Sequence, residues 1–394
     1  MFQSAGIRFI TVGVLALLMF IPLGLVSDII QERANYSETT IRDISQEWGG
    51  AQLVSGPMLV IPVIEDVTYD RKREALDPVT GRTLRDENKY IIYEHFEETV
   101  TENRPSIFIY PEQFDLDVST TSQTRHRGIF SVPVFTADLD LDFQFDLAAV
   151  ETMLNGDEQP VWDDAELRVH LDSNRALRGE TILAAEDRAF ALEPIPHAQP
   201  TANGVFSRLG DPRELGPMSL ELSLNGAQEF GIAAVGRLSR MTMVSDWPDP
   251  SFFGSFLPDT SDITEEGFTA TWSVPHLARS LPQISRETPE PSARRIATMQ
   301  VRYLTPNDFY QKAWRAARYG ILFIGLTFLT ILLLDRTSER PAHPVQYLMV
   351  GLAQSVFILL MVAYAEQIGF AAAYALAAGA TIGLLGLFGA TALK

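Results

Sequence analysis

Three stretches carry residue types that could do chemistry: Asp138-Leu-Asp140-Leu-Asp142, the turn Ser55-Gly56-Pro57, and six histidines spread along the chain. None has the spacing its chemistry needs. A calcium loop requires a turn-forming glycine and a closing glutamate, whereas Leu139 and Leu141 separate these acids, a pattern that reads as the solvated face of a strand. His95, His126, His170, His197, His276 and His343 never fall three or four residues apart, so no metal-site spacing appears. Ser55 has no adjacent Lys or His to activate it. Neither a Gly-x-Ser-x-Gly elbow nor a phosphate-cradling glycine loop is present. The complete lack of cysteine excludes disulfides, iron–sulfur clusters, thiolate zinc sites and cysteine nucleophiles. The expectation is a chain with no catalytic residue, no cofactor and no bound metal.

More information lies in the polar residues near long apolar runs. Arg315 and Arg318 precede the second run and Glu366 ends the third, which places opposite charges at one depth and suggests either a layer coupling a soluble domain to the bundle or charges snorkelling to the headgroups. Trp314, Tyr310 and Tyr364 fit an aromatic belt. In the last run Gly379, Gly383, Gly386 and Ala390 recur at four, three and four residues, lining one helical face with small side chains suited to close packing. Gln354 is the one strongly polar side chain deep in any run.

These residues must be positioned by helices that cross a bilayer. Phe9–Val26 carries no charge, and the runs 319–334, 345–365 and 369–393 repeat the pattern; about 20 apolar residues span a membrane core. The length of the first run and its weak Leu25-Val26-Ser27 cleavage signal favour an uncleaved anchor over a signal peptide. Arg8 before that run, with Asp28 and Glu32 after it, places the amino end in the cytoplasm. Arg336, Arg340 and Lys394 agree with four spans of that orientation, while Lys312, Arg315 and Arg318 oppose it.

Between the first and second runs lies an acidic insert. Residues 28–308 carry a net charge of −23 and the remainder +4, within a chain total of −19. Such a body repels phosphate backbones, which excludes nucleic acid as a partner. Ile41, Ile44 and Trp48 continue outward at helical spacing until Gly49-Gly50 stops the helix. Period-two alternation then dominates, as in Leu139/Leu141/Phe143, Met218/Leu220/Leu222/Leu224 and Phe268/Ala270/Trp272/Val274. Leu224-Asn225-Gly226 and Trp247-Pro248-Asp249-Pro250 read as turns between strands, and short helices are expected around 146–154 and 274–280. The charged stretch 65–105 lacks a sustained period and reads as an extended loop or mobile hairpin.

The expected fold is therefore a membrane protein with one N-terminal and three C-terminal α-helical spans around a large β-rich, sandwich-like periplasmic domain. Its parts are an anchor over 1–27, an amphipathic stalk over 28–50, the β-rich domain over 51–308, and a bundle over 309–394. The three bundle spans fall at about 314–334, 345–365 and 369–393. A faint echo between 106–146 and 218–247 raises the possibility of two lobes split near 155–215.

Several stretches resemble the inner membrane protein CreD family of Gram-negative envelopes. They are Trp48–Pro62 (WGGAQLVSGPMLVIP), Arg127–Val134 (RGIFSVPV), Ser245–Pro258 (SDWPDPSFFGSFLP), Tyr310-Gln-Lys, Ala317–Ile324, His343–Leu352 and Glu366–Phe370. The resemblance implies an inner membrane protein with a periplasmic domain, linked to envelope integrity and to two-component responses that accompany β-lactam stress; it supplies no catalytic residues. Members usually run further, with additional spans. The function expected is a non-enzymatic envelope-integrity and stress-response role, with a transporter or channel component, or an envelope hydrolase with a dispersed site, as alternatives. Expected partners are the lipid bilayer and either envelope components or another membrane protein.

Overall fold

A computed structural model describes residues 5–78, 80–128, 130–196, 203–288, 295–304, 309–335 and 342–392. Arg336, Arg340 and Lys394, which entered the charge argument, lie outside the described residues, as does His197. The chain divides into two compact units, one formed by residues 1–44, 125–132 and 305–394, the other by 45–124 and 133–304.

The second unit is β-rich. In chain order its strands are β1 (Gln52–Glu74), β2 (Tyr93–Ile109), β3 (Gln113–Arg127), β4 (Phe130–Gln144), β5 (Gln159–Pro160), β6 (Glu166–His170), β7 (Leu177–Ala185), β8 (Arg188–Phe190) and β9 (Glu193–Pro194). They continue as β10 (Gly204–Arg208), β11 (Met218–Ala227), β12 (Glu229–Ala233), β13 (Leu238–Ser245), β14 (Pro250–Gly254), β15 (Thr260–Thr264), β16 (Gly267–Pro275), β17 (Ile284–Ser285) and β18 (Thr298–Tyr303). One sheet runs β14-β18-β12-β1-β6-β10-β9, with β2, β5 and β17 attached; the other runs β15-β16-β13-β3-β4-β11-β7-β8. The segment 155–215 contributes strands to both. Short 3-10 turns occur at Ala148–Met153 and His276–Ala278.

Alternation explains the sheets. Leu220 pairs with Leu141 and Leu222 with Leu139, all buried, while Glu221 faces Asp140 on the wet side. Asp138, Asp140 and Asp142 are all exposed on that strand face, and Asp138 accepts a hydrogen bond from Ser223 Oγ. Inner faces of both sheets meet in one apolar core that includes Leu59, Ile61, Leu139, Leu220, Ile232 and Met299. Such burial stabilises by about 1.5–3 kcal/mol per large side chain.

Asn225-Gly226, expected to form a turn, instead lies inside β11, with Gly226 opposite Phe135. The physical reason is the Phe135 ring, which covers the glycine so closely that a Cβ there would lie 2.2 Å from Cζ. Phe135 stacks on Tyr303 at 4.8 Å and meets Phe230 edge-on at 5.8 Å, so the missing side chain makes room for an aromatic core. The stretch 65–105 forms an ordered ladder, with β1 and β2 paired from Val63/Arg104 to Glu74/Tyr93. Its mixed charges pair across the strands, as in Arg71 with Glu98 at 2.5 Å and Arg73 with Glu94 at 3.0 Å.

The first unit contains α1 (Ala5–Leu18), α2 (Phe20–Glu47), α3 (Phe309–Asp335), α4 (Pro344–Ile368) and α5 (Phe370–Ala392). Four helical stretches, 6–47, 312–335, 344–368 and 370–390, are long and apolar enough to cross a membrane. The first apolar run is interrupted at Met19, because Pro22 has no N–H to give the Leu18 carbonyl. Met19, Leu23 and Ile30 pack with Ala313, Ala317, Ile324 and Phe328 of α3 and with Ile358, Met361 and Val362 of α4. Phe130, in the 125–132 tip of the β3–β4 hairpin, meets Tyr36 of α2 edge-on at 5.7 Å.

Gly226→Val should force Phe135 out of its place and cost about 1–3 kcal/mol, as overpacked cores do. Gly128→Ala, with open space around it but a backbone at φ +61°, should cost about 1–2 kcal/mol, the strain of a left-handed conformation for an L side chain. Urea unfolding of the detergent-solubilised protein, followed by tryptophan fluorescence, checks both.

Candidate functional site

The β1–β6 pair brings together residues that are far apart in the chain. His170 lies directly opposite Ser55 in the antiparallel register, and Asp172 accepts a hydrogen bond from the Leu53 backbone amide. Residues opposite one another share a face, so Ser55 and His170 lie on one side of the sheet, and Asp172 follows two residues beyond the end of β6. Sequence spacing alone hid this juxtaposition, since 115 positions separate Ser55 from His170. Gly56, at φ +135°, is required there, because a Cβ would lie 2.9 Å from the Arg168 carbonyl oxygen.

The trio has the composition of a nucleophile relay but a different arrangement. Asp172 binds Arg295 Nη2 at 2.5 Å and the Leu53 amide, so its carboxylate is committed to a clasp. Burial pushes the Asp172 carboxyl above the usual carboxylate range, and Arg295 opposes that shift. Ser55 is 5% exposed and its Oγ has no hydrogen-bond partner. Asn203 Nδ2 donates to the Asp172 carbonyl at 2.8 Å and Asn174 Nδ2 to the Gly204 carbonyl at 2.9 Å, which fixes the neighbouring loops. Taken together these contacts lock a strand junction.

Arg279, which is buried, and Arg286, which is half-buried, play similar parts. Arg279 donates to the carbonyls of Val235 (2.6 Å), Gly236 (3.1 Å) and Leu281 (2.6 Å), and to Gln283 Oε1 (2.7 Å). Gln283 in turn donates to Tyr110 O and Pro111 O at 2.7 and 2.6 Å. Burial pulls the Arg279 guanidinium down to about 10, so it remains a cation at neutral pH with donors for these carbonyls. Arg286 grips Glu158 with two nitrogens at 2.6 and 3.1 Å and also donates to the Met153 carbonyl. That grip, with the Asn155 amide, holds the Glu158 carboxyl below its ordinary range.

In the helical unit, Arg318 lies over the Trp314 ring at 5.2 Å and Lys312 Nζ over Phe370 at 5.6 Å. Arg315 and Arg318 are exposed, Glu366 is half-buried, and both Arg315 and Glu366 interact with neighbours. Since Phe370 begins α5 immediately after Glu366 and Gly369, the Lys312–Phe370 contact puts the start of α3 level with the end of α4. Two other histidines serve local structure: His343 caps α4 by accepting from the Val345 amide, and His95 Nδ1 is 3.2 Å from Asp70.

Gly379, Gly383, Gly386 and Ala390 line an exposed face of α5, and a Cβ on any of the three glycines would meet nothing within 4 Å. Within this chain α5 buries Ala373 and Ala377 instead. The glycines that let helices approach are Gly320 and Gly351, isolated in sequence and overlooked by a search for repeats. A Cβ on Gly351 would lie 2.5 Å from Met19 Sδ and 3.0 Å from Phe328 Cζ, and one on Gly320 would lie 3.0 Å from Ile358 Cδ1. Gln354 Nε2 donates to Thr327 Oγ1 at 2.7 Å, tying α4 to α3.

Four helices able to span a membrane, with a two-sheet β domain inserted between the first and second, define a multi-span membrane protein carrying a large extramembranous domain. The profile of the inner membrane protein CreD family matches residues 4–394. The chain is 30% identical over 365 residues to the inner membrane protein CreD of Escherichia coli (strain K12), a match covering 92% of this chain and 75% of that protein. It belongs to the CreD family of inner membrane proteins.

Because Glu158 is held below its unfolded value, its contribution to stability is present above about pH 4.5 and is lost as pH falls through the lower folded value. Glu158→Gln should therefore flatten the acid limb of stability against pH, which urea midpoints between pH 3 and 6 measure. Arg279→Met strands four buried acceptors and should destabilise by on the order of 3 kcal/mol, measured at neutral pH in the same way.

Proposed function

We propose that this protein works by binding, as a non-enzymatic envelope-integrity and stress-response component anchored in the inner membrane. In this reading its amino terminus is cytoplasmic and its β domain periplasmic. The observation that carries it is the β1–β2 arm. Beyond Val63 the two strands pair with each other and leave the sheet core, and the arm displays Tyr69, Leu76, Tyr90, Ile92 and Tyr93, with Tyr90 72% and Leu76 58% exposed. Exposed tyrosines and aliphatics set among paired charges have the composition of a protein interface, where aromatic anchors carry most of the affinity. The partner proposed is an envelope protein.

The orientation is supported by Arg8 before the first span and by the acidity of the insert. The layer of Arg315, Arg318 and Glu366 is proposed to pass a change of state in the β domain to the helices. A transporter reading draws on Gln354, yet that amide already serves as an interhelical hydrogen bond, which favours a packing role. The Ser55–His170 pair, with Asp172 just beyond the strand, offers the best footing for a hydrolase, and the commitment of Asp172 to Arg295 and Leu53 counts against it.

Replacing Leu76, Tyr90 and Tyr93 together with serine should leave the thermal midpoint of the purified protein nearly unchanged. It should lower the yield of an envelope protein cross-linked to the arm in whole cells by at least tenfold, and an unchanged yield would remove the arm from the interface. Since the chain has no cysteine, single cysteines at Thr260 and at Gly6, which precedes the first apolar run, report orientation. An impermeant maleimide added to cells with a permeabilised outer membrane should label Thr260→Cys and spare Gly6→Cys until the inner membrane is opened.

A further inference from the structure

A cavity of about 420 Å³ lies within the helical unit, between the first turns of α1, the end of α3 and the start of α4. Its wall is mostly apolar, with Leu15, Leu332 and Pro344 among the contributors, and five polar side chains line it: Thr11 and His343, which bond their own helices, and Arg8, Asp335 and Tyr347. Tyr347 is 3% exposed, and its hydroxyl has no hydrogen-bond partner. A buried phenol left in that state costs on the order of 1–3 kcal/mol, which a ligand group in the cavity would recover. Asp335 accepts the Ala342 amide at 2.6 Å through Oδ1, and a carboxylate has further lone pairs to offer. Arg8 supplies a cation that stays charged at any physiological pH.

We infer that this cavity holds one phospholipid of the bilayer whose head group joins a phosphate to a primary ammonium. Three matches carry the assignment. An apolar crevice among helices that span a membrane takes an acyl chain, and its volume falls in the range of small-molecule sites. The phosphate is complementary to Arg8 and accepts from the Tyr347 hydroxyl, which among the described residues has no other use. The ammonium is complementary to Asp335 and can donate hydrogen bonds to it. A trimethylated head has no N–H for Asp335, and a phosphoglycerol head offers that carboxylate neutral hydroxyls with no balancing positive charge. The two opposite charges at one mouth thus select a zwitterion small enough to bridge them. This inference is independent of the binding role proposed for the β1–β2 arm.

The test uses the full chain in detergent, titrated with dioleoyl lipids bearing phosphoethanolamine, phosphocholine or phosphoglycerol heads, and read by native mass spectrometry together with the thermal midpoint. The expected result is one tightly held phosphoethanolamine lipid, with affinity at least tenfold above the other two. Tyr347→Phe keeps the wall and removes the hydroxyl, and should weaken that lipid about tenfold without lowering the lipid-free midpoint. Asp335→Asn keeps an acceptor for Ala342 and should abolish the preference over phosphocholine, while Arg8→Gln should weaken all three lipids. Equal affinity for the three heads in the parent protein would overturn the inference. So would tight binding of oleate in place of the phospholipid, or a head-group preference that survives both Asp335→Asn and Tyr347→Phe.

Discussion

The β-rich unit hangs on the pairing of β1. Over Gln52–Val54 this strand runs parallel to β12, from Ser55 to Val60 it runs antiparallel to β6, and from Leu59 onward it pairs with β2. With β5 paired at Val63 and Ile64 as well, a single strand fixes the register of four others, and its first ten residues are buried on both faces. Because a slip of one residue would turn every side chain to the opposite face, the junction needs closures at several points. Gly49 and Gly50, both at positive φ, end the preceding helix, and Gly49 sits where a Cβ would lie 2.9 Å from the Asn225 carbonyl. The Asp172–Leu53 and Asn174–Gly204 bonds secure the far side of the same junction.

The arginine brackets extend this logic to the loops. Arg279 and Gln283 satisfy backbone carbonyls from residues 110–111, 235–236 and 281 at once, groups that no strand ladder serves. One long side chain does what several turns would otherwise do, and its charge strengthens each bond. Glu158 and Arg286 repeat the device at the 153–158 turn. Charge inside this domain is thus spent on backbone closure, while charge on the β1–β2 arm pairs across two exposed faces.

What could be read from the residues followed the range of the interaction involved. β4, β11 and β16 were legible because one face of each is wet and the alternation is local. The four spanning stretches were legible because a bilayer demands a continuous apolar run. For 65–105 the residues left a loop and a hairpin both open, since a ribbon exposed on both sides has no buried period to display, and the ladder selects the hairpin. Asn225-Gly226 misled because its glycine answers to Phe135, ninety positions away, rather than to a turn. Gly320 and Gly351 escaped notice because each is small for one particular neighbour, Ile358 or Met19, and nothing repeats. The Ser55–His170 pairing depends on sheet register, which no local pattern encodes.

The position of β18 has a consequence for biosynthesis. It lies between β14 and β12 inside the larger sheet, yet it is the last strand in the chain and ends at Tyr303, shortly before α3. Tyr303 also stacks on Phe135 and bonds Thr120, so the aromatic centre of the core waits for the same segment. A ribosome delivering this chain from its amino end must release everything through Tyr303 before the sheet can close. The edges of β12 and β14 stay open from the time Gly254 is made until β18 follows, as strand edges in slowly completed sheets do. Nascent chains at this stage carry two unpaired strand edges, the feature that opens an incomplete sheet to wrong pairing.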